Sequence, residues 1–172
     1  MEDGSGEDLN QFRLWYSQAG TPELTVVGDY DEDAKVYTLS MTQTVPNTPG
    51  QTDKKPMHIP VELGLLDSDG KEMLEGGTQL VNLTKAHQTF RFDGISEKPI
   101  PSILRGFSAP VKIKNKLTRD EKIFLIGHDA DSFNRWEAAQ EISIDVILSL
   151  VGDLNTGRQY KLDEKYVDAF RL

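Results

Sequence analysis

The chain has 172 residues, of which 37% are hydrophobic, and a formal net charge of −9. That length suits one domain, or one domain and part of another, with enough apolar residues for a packed core. The acidic balance argues against binding to nucleic acid and to anionic membranes, because both partners require a basic face. The chain has no cysteine, which excludes disulfide bonds, thiolate metal ligands and thiolate nucleophiles.

The N-terminal segment changes from an acidic to a helical pattern. Its first residues, MEDGSGEDL, are too acidic for a secretion signal. Phe12, Trp15 and Tyr16 then follow at helical spacing, and Gly20 is placed to end the helix. We interpret residues 1–20 as a flexible start followed by the tail helix of an upstream domain. No apolar run is long enough to span a bilayer, and these features together predict a cytoplasmic protein.

The hydrophobic period is two from about Glu23 to Leu117, and turn residues interrupt it often. No helical pattern interrupts this part of the chain, so it predicts an antiparallel β-sandwich of about seven strands. The segments with this pattern are ELTVVGDY, KVYTLSMTQTV, MHIPVELGLLD, QLVNLT, QTFRFDG and PSILRGFSAPVKIKNKL.

Two acidic stretches between the strands begin like a calcium-binding loop. The run from Asp67 has Glu72 where that loop needs glycine and Thr78 where it needs glutamate. The run from Asp29 fails at the same two positions. Both stretches are therefore interpreted as hairpin turns, the one after Asp67 turning through Asp69–Gly70.

The period changes to that of an α-helix after the last predicted strand. Thr118 and Glu121 have the spacing of a capping box, in which each side chain bonds the backbone N–H of the other residue. This pattern predicts a two-turn helix ending near Gly127, with a strand across residues 121–127 as the alternative. Two further helices are predicted: one over Ser132–Val151, and one that begins near Asp163 and is still helical at Leu172.

The stretch GHDADSFNRWEAAQEI places His128, Asp129 and Asp131 close together in sequence. These residue types can bind a metal ion, or they can form the beginning of a helix. A metal site needs three or more ligands in an open geometry, which these neighbours supply only with help from distant residues. We therefore favour a structural role for the motif.

The helical interpretation gives most residues of this motif a role. Asp131 or Ser132 can cap the helix, and Arg135 lies four residues from Asp131, at ion-pair spacing. Trp136 is expected to be buried, so that its replacement by alanine would cost roughly 3–5 kcal/mol. The outer face of the helix is expected to carry Glu137, Glu141 and Asp145.

Other candidate sites in the sequence are weak. Asn82 lies in the glycosylation pattern Asn-Leu-Thr, which we discount for an intracellular chain. His58, His87 and His128 are scattered over predicted strands, a turn and a helix end. The sequence has no phosphate-binding glycine loop, nucleophile elbow or His-Glu-x-x-His motif. No catalytic, cofactor-binding or metal-binding residue is predicted.

Three blocks carry a resemblance to a known family: WYSQAGTP (Trp15–Pro22), KPIPSILRGFSAPV (Lys98–Val111) and HDADSFNRWEAAQ (His128–Gln140). They resemble the region that follows the catalytic domain in aminopeptidases N, the family M1 zinc metallopeptidases. TPGQ, KKPMHIPVELGLLDSDGKEM and FRFDG occur in the matching order between the blocks. The resemblance covers the chain from about Leu9 to Leu172.

This resemblance implies an immunoglobulin-like sandwich domain over residues 21–117 and the start of a C-terminal α-helical domain over 118–172. The family's zinc site and catalytic motifs lie upstream of this region; none of these motifs occurs here, so none of their residues can be assigned to positions of this chain. The parent protein is thus expected to be a zinc-dependent aminopeptidase that removes N-terminal amino acids from peptides. This chain is expected to be a non-catalytic spacer without a cofactor of its own, whose partners are the catalytic and C-terminal helical domains.

The alternative is a free-standing sandwich that serves adhesion or carbohydrate binding. Such modules usually expose aromatic side chains on loops. Here Trp15 and Trp136 both lie on predicted helices, which favours the spacer.

Overall fold

A computed structural model describes Gly6, residues 8–159 and residues 164–171. The chain divides into two compact units. The first contains the residues up to Glu62, together with Gln79–Lys98 and Ser108–Lys116. The second contains Leu63–Thr78, Pro99–Phe107 and the residues from Leu117 onward.

The described residues form seven strands and four α-helices, as the period change in the sequence predicts. The strands are β1 (Glu23–Asp31), β2 (Val36–Thr44), β3 (Ile59–Leu66), β4 (Gln79–Leu83), β5 (His87–Asp93), β6 (Ile100–Ile103) and β7 (Lys112–Asn115). The helices are α1 (Leu14–Ser17), α2 (Arg119–His128), α3 (Ser132–Asn155) and α4 (Glu164–Ala169).

A four-stranded sheet of order β5-β2-β1-β7 forms the centre of the first unit. β2 pairs antiparallel with both β1 and β5, but β7 runs parallel to β1, with Glu23 opposite Lys112. The predicted all-antiparallel arrangement is therefore wrong at this pair. Side chains alternate in the same way in parallel and antiparallel strands, so the sequence period does not distinguish them.

The period-two pattern of β2 produces the core of the first unit. Tyr37, Leu39, Met41 and Gln43 point to one side of the strand and are buried, since alternate residues share a face. Burial of each large apolar side chain contributes about 1.5–3 kcal/mol. Gln43 is the one polar member of this row, and its role is structural, as shown below.

Both acidic stretches form turns, as predicted. In the β1–β2 turn the carboxylate of Asp31 accepts the backbone N–H of Ala34 at 2.9 Å. After β3 the carboxylate of Asp67 accepts the N–H groups of Asp69 at 2.9 Å and Lys71 at 2.8 Å. Each carboxylate thus satisfies backbone donors within its own turn, the usual role of aspartate there.

The second sheet has the order β4-β3-β6. Within the second unit, β3 pairs antiparallel with β6, from Leu63 opposite Ile103 to Leu66 opposite Ile100. The end of β3 packs with the helices in one apolar cluster, which provides the core of this unit. The buried members of the cluster are Leu66, Ile123, Leu125, Ile126, Ala138, Ala139, Ile142 and Ala169.

Helix α2 begins at the predicted capping box. The hydroxyl of Thr118 accepts the N–H of Glu121 at 3.2 Å, and the carboxylate of Glu121 accepts the N–H of Thr118 at 2.7 Å. The helix therefore replaces the alternative strand across 121–127. Helix α3 begins at Ser132 as predicted and ends at Asn155 rather than Val151. The predicted helix start at Asp163, and Leu172, lie outside the described residues.

The face of α3 that the sequence predicts to be buried is not the one that the structure buries. The buried residues are Asn134, Ala138, Ala139 and Ile142, whereas the Trp136 side chain is 57% exposed. The sequence pattern alone placed the largest aromatic residue inside. The helix instead packs through two alanines, whose small side chains let its backbone approach its neighbours closely.

Candidate functional site

Side chains of residues in and next to α1 attach this helix to the extended segment 51–58 and to Thr84 of the first unit. The amide of Gln11 donates to the carbonyls of Pro56 at 3.1 Å and Thr84 at 2.6 Å. The indole N–H of Trp15 donates to the carbonyl of His58 at 2.9 Å. A short helix has little stability of its own, so these contacts fix its position.

A reciprocal pair continues this attachment at the end of the helix. The Gln18 amide donates to the carbonyl of Lys55 at 2.9 Å, and the Lys55 N–H donates back to the Gln18 side chain at 2.8 Å. Gln51 accepts the N–H of Ala19 at 2.8 Å. The ammonium of Lys54 donates to the Ala19 carbonyl at 2.7 Å. We call the helix-to-loop contacts of residues 11–19 the N-terminal joint.

Gln43 supports the loop side of this joint from inside the first unit. Its amide nitrogen donates to the carbonyl of Met57 at 2.8 Å, and its oxygen accepts the N–H of the same residue at 2.7 Å. The side chain thus replaces a strand partner for a buried backbone segment, which would otherwise leave costly unpaired groups. Gln43 therefore holds the loop to which the N-terminal joint is attached.

Arg105 is the centre of a buried polar cluster in the second unit. Its side chain is 4% exposed, and one nitrogen lies 2.7 Å from Glu72 and 3.1 Å from Asp129. Other nitrogens donate to the hydroxyls of Ser102 at 2.9 Å and Thr78 at 3.0 Å. A guanidinium is suited to this position because its five donors lie in a rigid plane.

The backbone of β3 is shaped for this arginine at Gly64. A Cβ atom at that position would collide with the guanidinium carbon of Arg105. Glycine is therefore required by the close approach of the side chain to the strand.

Asn134 and Ser102 extend the cluster to the first turns of α3. The Asn134 amide donates to the Ser102 hydroxyl at 2.8 Å and to the Ile103 carbonyl at 3.0 Å. Among the residues that the structure describes, one carboxylate oxygen of Asp129 and the side-chain oxygen of Asn134 have no hydrogen-bond partner. The cluster joins the end of β6 to the segment between α2 and α3.

The residues after β6 form a strained turn against this cluster. Leu104 and Phe107 have positive φ angles of 64° and 53°, and Gly106 between them has φ of 60°. This region is costly for residues with a side chain. The carboxylate of Asp131 accepts the Gly106 N–H at 3.0 Å, and burial of Arg105 fixes the turn from the other side.

The His128–Asp129–Asp131 motif is divided between separate roles. Asp131 caps α3 by accepting the Asn134 N–H at 2.8 Å, as predicted, and Asp129 pairs with Arg105. His128 bonds the carbonyl of Phe124 at 2.9 Å and stacks on its ring. The predicted ion pair with Asp131 is replaced, since the Arg135 guanidinium donates to the Ile126 carbonyl at 2.9 Å.

The other predicted candidates also make local contacts. His58 and the exposed Asn82 share a hydrogen bond of 2.8 Å. His87 bonds the hydroxyl of Thr42 at 2.9 Å across the β5–β2 pair. Over Gly6, 8–159 and 164–171, no three His, Asp or Glu side chains are grouped so that they could hold a metal ion. The described residues therefore do not fit a zinc site.

Two carboxyl groups have perturbed acidity. The hydrogen bond and charge of Lys114 lower the pKa of Glu23. Burial, followed by repulsion from Glu141, raises the pKa of Glu137. Glu23 lies at the sheet edge and Glu137 on a helix surface. Neither residue belongs to the polar cluster or to the N-terminal joint.

The sequence pattern does not predict the residues on which the polar cluster and the N-terminal joint depend. Arg105, Gln43 and Gln51 lie in segments that were assigned to strands or loops without a role. One signal was present for Arg105, because a single charge within the apolar run ILRGF predicts either a turn or a buried ion pair. The amide-to-backbone contacts of the glutamines carry no periodic signal.

Family models match both parts of the chain. Residues 20–116 match "Domain of unknown function (DUF3458) Ig-like fold", and residues 119–172 match "Domain of unknown function (DUF3458_C) ARM repeats". The first match agrees with the two β-sheets and confirms the immunoglobulin-like fold class. Among the described residues, no helix has both the length and the apolar character needed to cross a membrane.

The chain is similar to bacterial aminopeptidases N. It is 42% identical to the enzyme of Escherichia coli strain K12, over 99% of this chain and 20% of that protein. It is 46% identical to that of Caulobacter vibrioides, over 86% of this chain and 17% of that protein. The chain thus spans about a fifth of the length of these relatives.

A solved structure has the same fold. The crystal structure of Legionella pneumophila aminopeptidase A in complex with aspartic acid matches with a TM-score of 0.79 and 31% identity. The match covers 99% of this chain and 18% of that one. The chain belongs to the DUF3458 family of the Ig-like fold, and its sequence is similar to about a fifth of the length of the bacterial aminopeptidases N.

Proposed function

We propose that this chain is a non-catalytic spacer in a zinc-dependent aminopeptidase. In the parent protein it would hold the catalytic domain and the C-terminal helical domain at a fixed distance and help close the substrate chamber. The parent would remove N-terminal amino acids from peptides in the cytoplasm. Its zinc would be bound by another domain, since the described residues of this chain offer no group of ligands.

The observation that carries this proposal is the N-terminal joint. A spacer transmits a fixed geometry only if its connection to the preceding domain is rigid. Gln11, Trp15 and Gln18 attach the segment around the short helix through five hydrogen bonds, four of them to the loop 51–58 and one to the carbonyl of Thr84. The match over a fifth of the aminopeptidases N supplies the context of a larger parent.

The proposed domain limits follow the change of period in the sequence. We propose residues 21–117 as the immunoglobulin-like domain, 118–172 as the start of the C-terminal helical domain, and 1–20 as the connection to the upstream domain. The family models support these limits, since their matches cover 20–116 and 119–172.

An insertion in the parent enzyme tests the spacer function. Two residues, Gly-Ser, are inserted between Asp8 and Leu9, directly before the joint, so that the joint itself is kept and its distance from the preceding domain is changed. We expect kcat/KM for peptide substrates to fall at least tenfold, while the zinc content of the parent stays at the wild-type value. The fall is expected because a displaced domain no longer completes the substrate chamber.

The matched control places the same insertion between Glu32 and Asp33, in the exposed β1–β2 turn, where we expect activity close to wild type. An unchanged kcat/KM after the insertion between Asp8 and Leu9 would contradict the spacer function. A parent that lost zinc in the same variant would also contradict it, because the joint would then contribute to the metal site itself.

A further inference from the structure

The outer face of α3 is apolar although this helix already buries its opposite face. Ile144, Ile147, Leu148, Val151 and Leu154 are 47–66% exposed. With about 100° between successive residues, they lie within an arc of about 120°. Ala138 and Ile142, which are buried, lie on the other side of the helix.

Aromatic residues extend this face at the beginning of the helix. Phe133 contacts Trp136 with a ring separation of 5.9 Å and Phe107 with a separation of 5.3 Å. Phe107 and Trp136 are 54% and 57% exposed. The strained turn and the Asp131 cap hold these rings in position. We call the exposed apolar and aromatic residues of α3 the outer α3 face.

A helix that is apolar on two opposite sides is expected between two neighbours. The helical part of this chain matches a family model described as ARM repeats. Such repeats bury their apolar surface only by stacking on adjacent repeats. The relatives are about five times longer than this chain, so a parent of that length has room for further repeats.

We propose that the outer α3 face is the docking surface for a further α-helix of the same parent chain, the next member of the ARM-type array. The inference rests on the proposed function, because it requires a parent with a longer helical domain. The docking helix would present aliphatic side chains to Ile144, Leu148 and Val151. It would also present a hydrogen-bond donor to Glu137, which lies on the same face and would otherwise be an unpaired buried carboxylate.

Thiol labelling tests this proposal, since the chain contains no cysteine. The variant Leu148→Cys is prepared both in the 172-residue chain and in the full-length parent. Its reaction with a maleimide is followed by peptide mass spectrometry, which distinguishes it from any other cysteine of the parent. We expect the thiol to react at least tenfold more slowly in the parent than in the 172-residue chain.

The control is Glu32→Cys in the exposed β1–β2 turn, for which we expect the same rate in both proteins. Equal rates for Leu148→Cys would overturn the docking surface, while the spacer proposal would stand on its own insertion test. The docking surface would also be overturned if the labelling rate of Leu148→Cys in the 172-residue chain fell as the protein concentration rose, because a second copy of the chain would then cover the outer α3 face. A parent without helices beyond this region would refute both proposals.

Discussion

One carboxylate oxygen of Asp131 accepts the backbone N–H of Gly106 at 3.0 Å, while the other accepts the N–H of Asn134 at 2.8 Å. A single side chain thus caps α3 and holds the strained turn after β6. The sequence predicted the cap, but the bond to Gly106 joins residues that are far apart in the chain.

Substitution of Asp131 is expected to have a graded effect. Asp131→Ala removes both acceptors and should cost about 1–3 kcal/mol in the free energy of unfolding, as the sum of a helix cap and one further hydrogen bond. Asp131→Asn keeps one acceptor and should lose about half as much. Urea unfolding measures both values. Equal losses for the two variants would contradict the assignment of one bond to each oxygen.

Two glycine substitutions are expected to have opposite effects on stability, because Arg105 packs against Gly64 whereas the position of Gly152 is open. Gly64→Ala should destabilise the chain by about 1–3 kcal/mol, because its methyl group would collide with a guanidinium that five partners hold in place. The added methyl group of Gly152→Ala in α3 meets no atom of the described residues within 4 Å, and this variant should be more stable by about 0.5–1 kcal/mol. Thermal unfolding of both variants provides the comparison, and a neutral Gly64→Ala would show that the arginine is free to move.

The exposure of Trp136 changes the expected cost of its removal. Because the side chain is 57% exposed, Trp136→Ala should cost about 1 kcal/mol rather than the roughly 3–5 kcal/mol of a buried aromatic residue. Ile142→Ala is the control, since Ile142 is fully buried, and should cost about 2–5 kcal/mol. A larger loss for Trp136 than for Ile142 in chemical denaturation would show that the tryptophan is buried.

The raised pKa of Glu137 predicts a pH-dependent effect of Glu137→Gln. Burial and the neighbouring Glu141 disfavour the charged form in the folded chain, so the native state retains its proton to a higher pH than the unfolded state. Stability from this group is therefore lost as the pH rises through the folded pKa. At pH 7 the variant should be more stable than wild type, and the gain should vanish below the ordinary pKa of 4.5. The free energy of unfolding of the variant and of wild type is measured at pH 7 and at a pH below 4.5. The same gain in stability at both pH values would contradict a titration effect.

The sequence predicted the elements well because most of them follow local rules. The alternation of β2, the capping box of Thr118 and Glu121, and the aspartate turns each depend on a few neighbouring residues. The parallel pairing of β7 depends instead on how distant segments meet, for which the local pattern contains no information.

The polar arrangements were less predictable for the same reason. Arg105 meets partners at Glu72 and Asp129, and Gln43 bonds the backbone of Met57. These contacts arise only after the chain is folded. The predicted orientation of α3 is wrong because the helical spacing of Phe133 and Trp136 indicates one apolar face, whereas the face that is buried carries Ala138, Ala139 and Ile142.

The most direct test of a non-catalytic chain compares it with its full-length parent in one assay. Zinc per chain is measured by elemental analysis, and hydrolysis of an aminoacyl-arylamide substrate is measured with and without a chelator. We predict about one zinc and chelator-sensitive hydrolysis for the parent, and neither for the 172-residue chain. Stoichiometric zinc together with chelator-sensitive hydrolysis by the 172-residue chain would contradict the account.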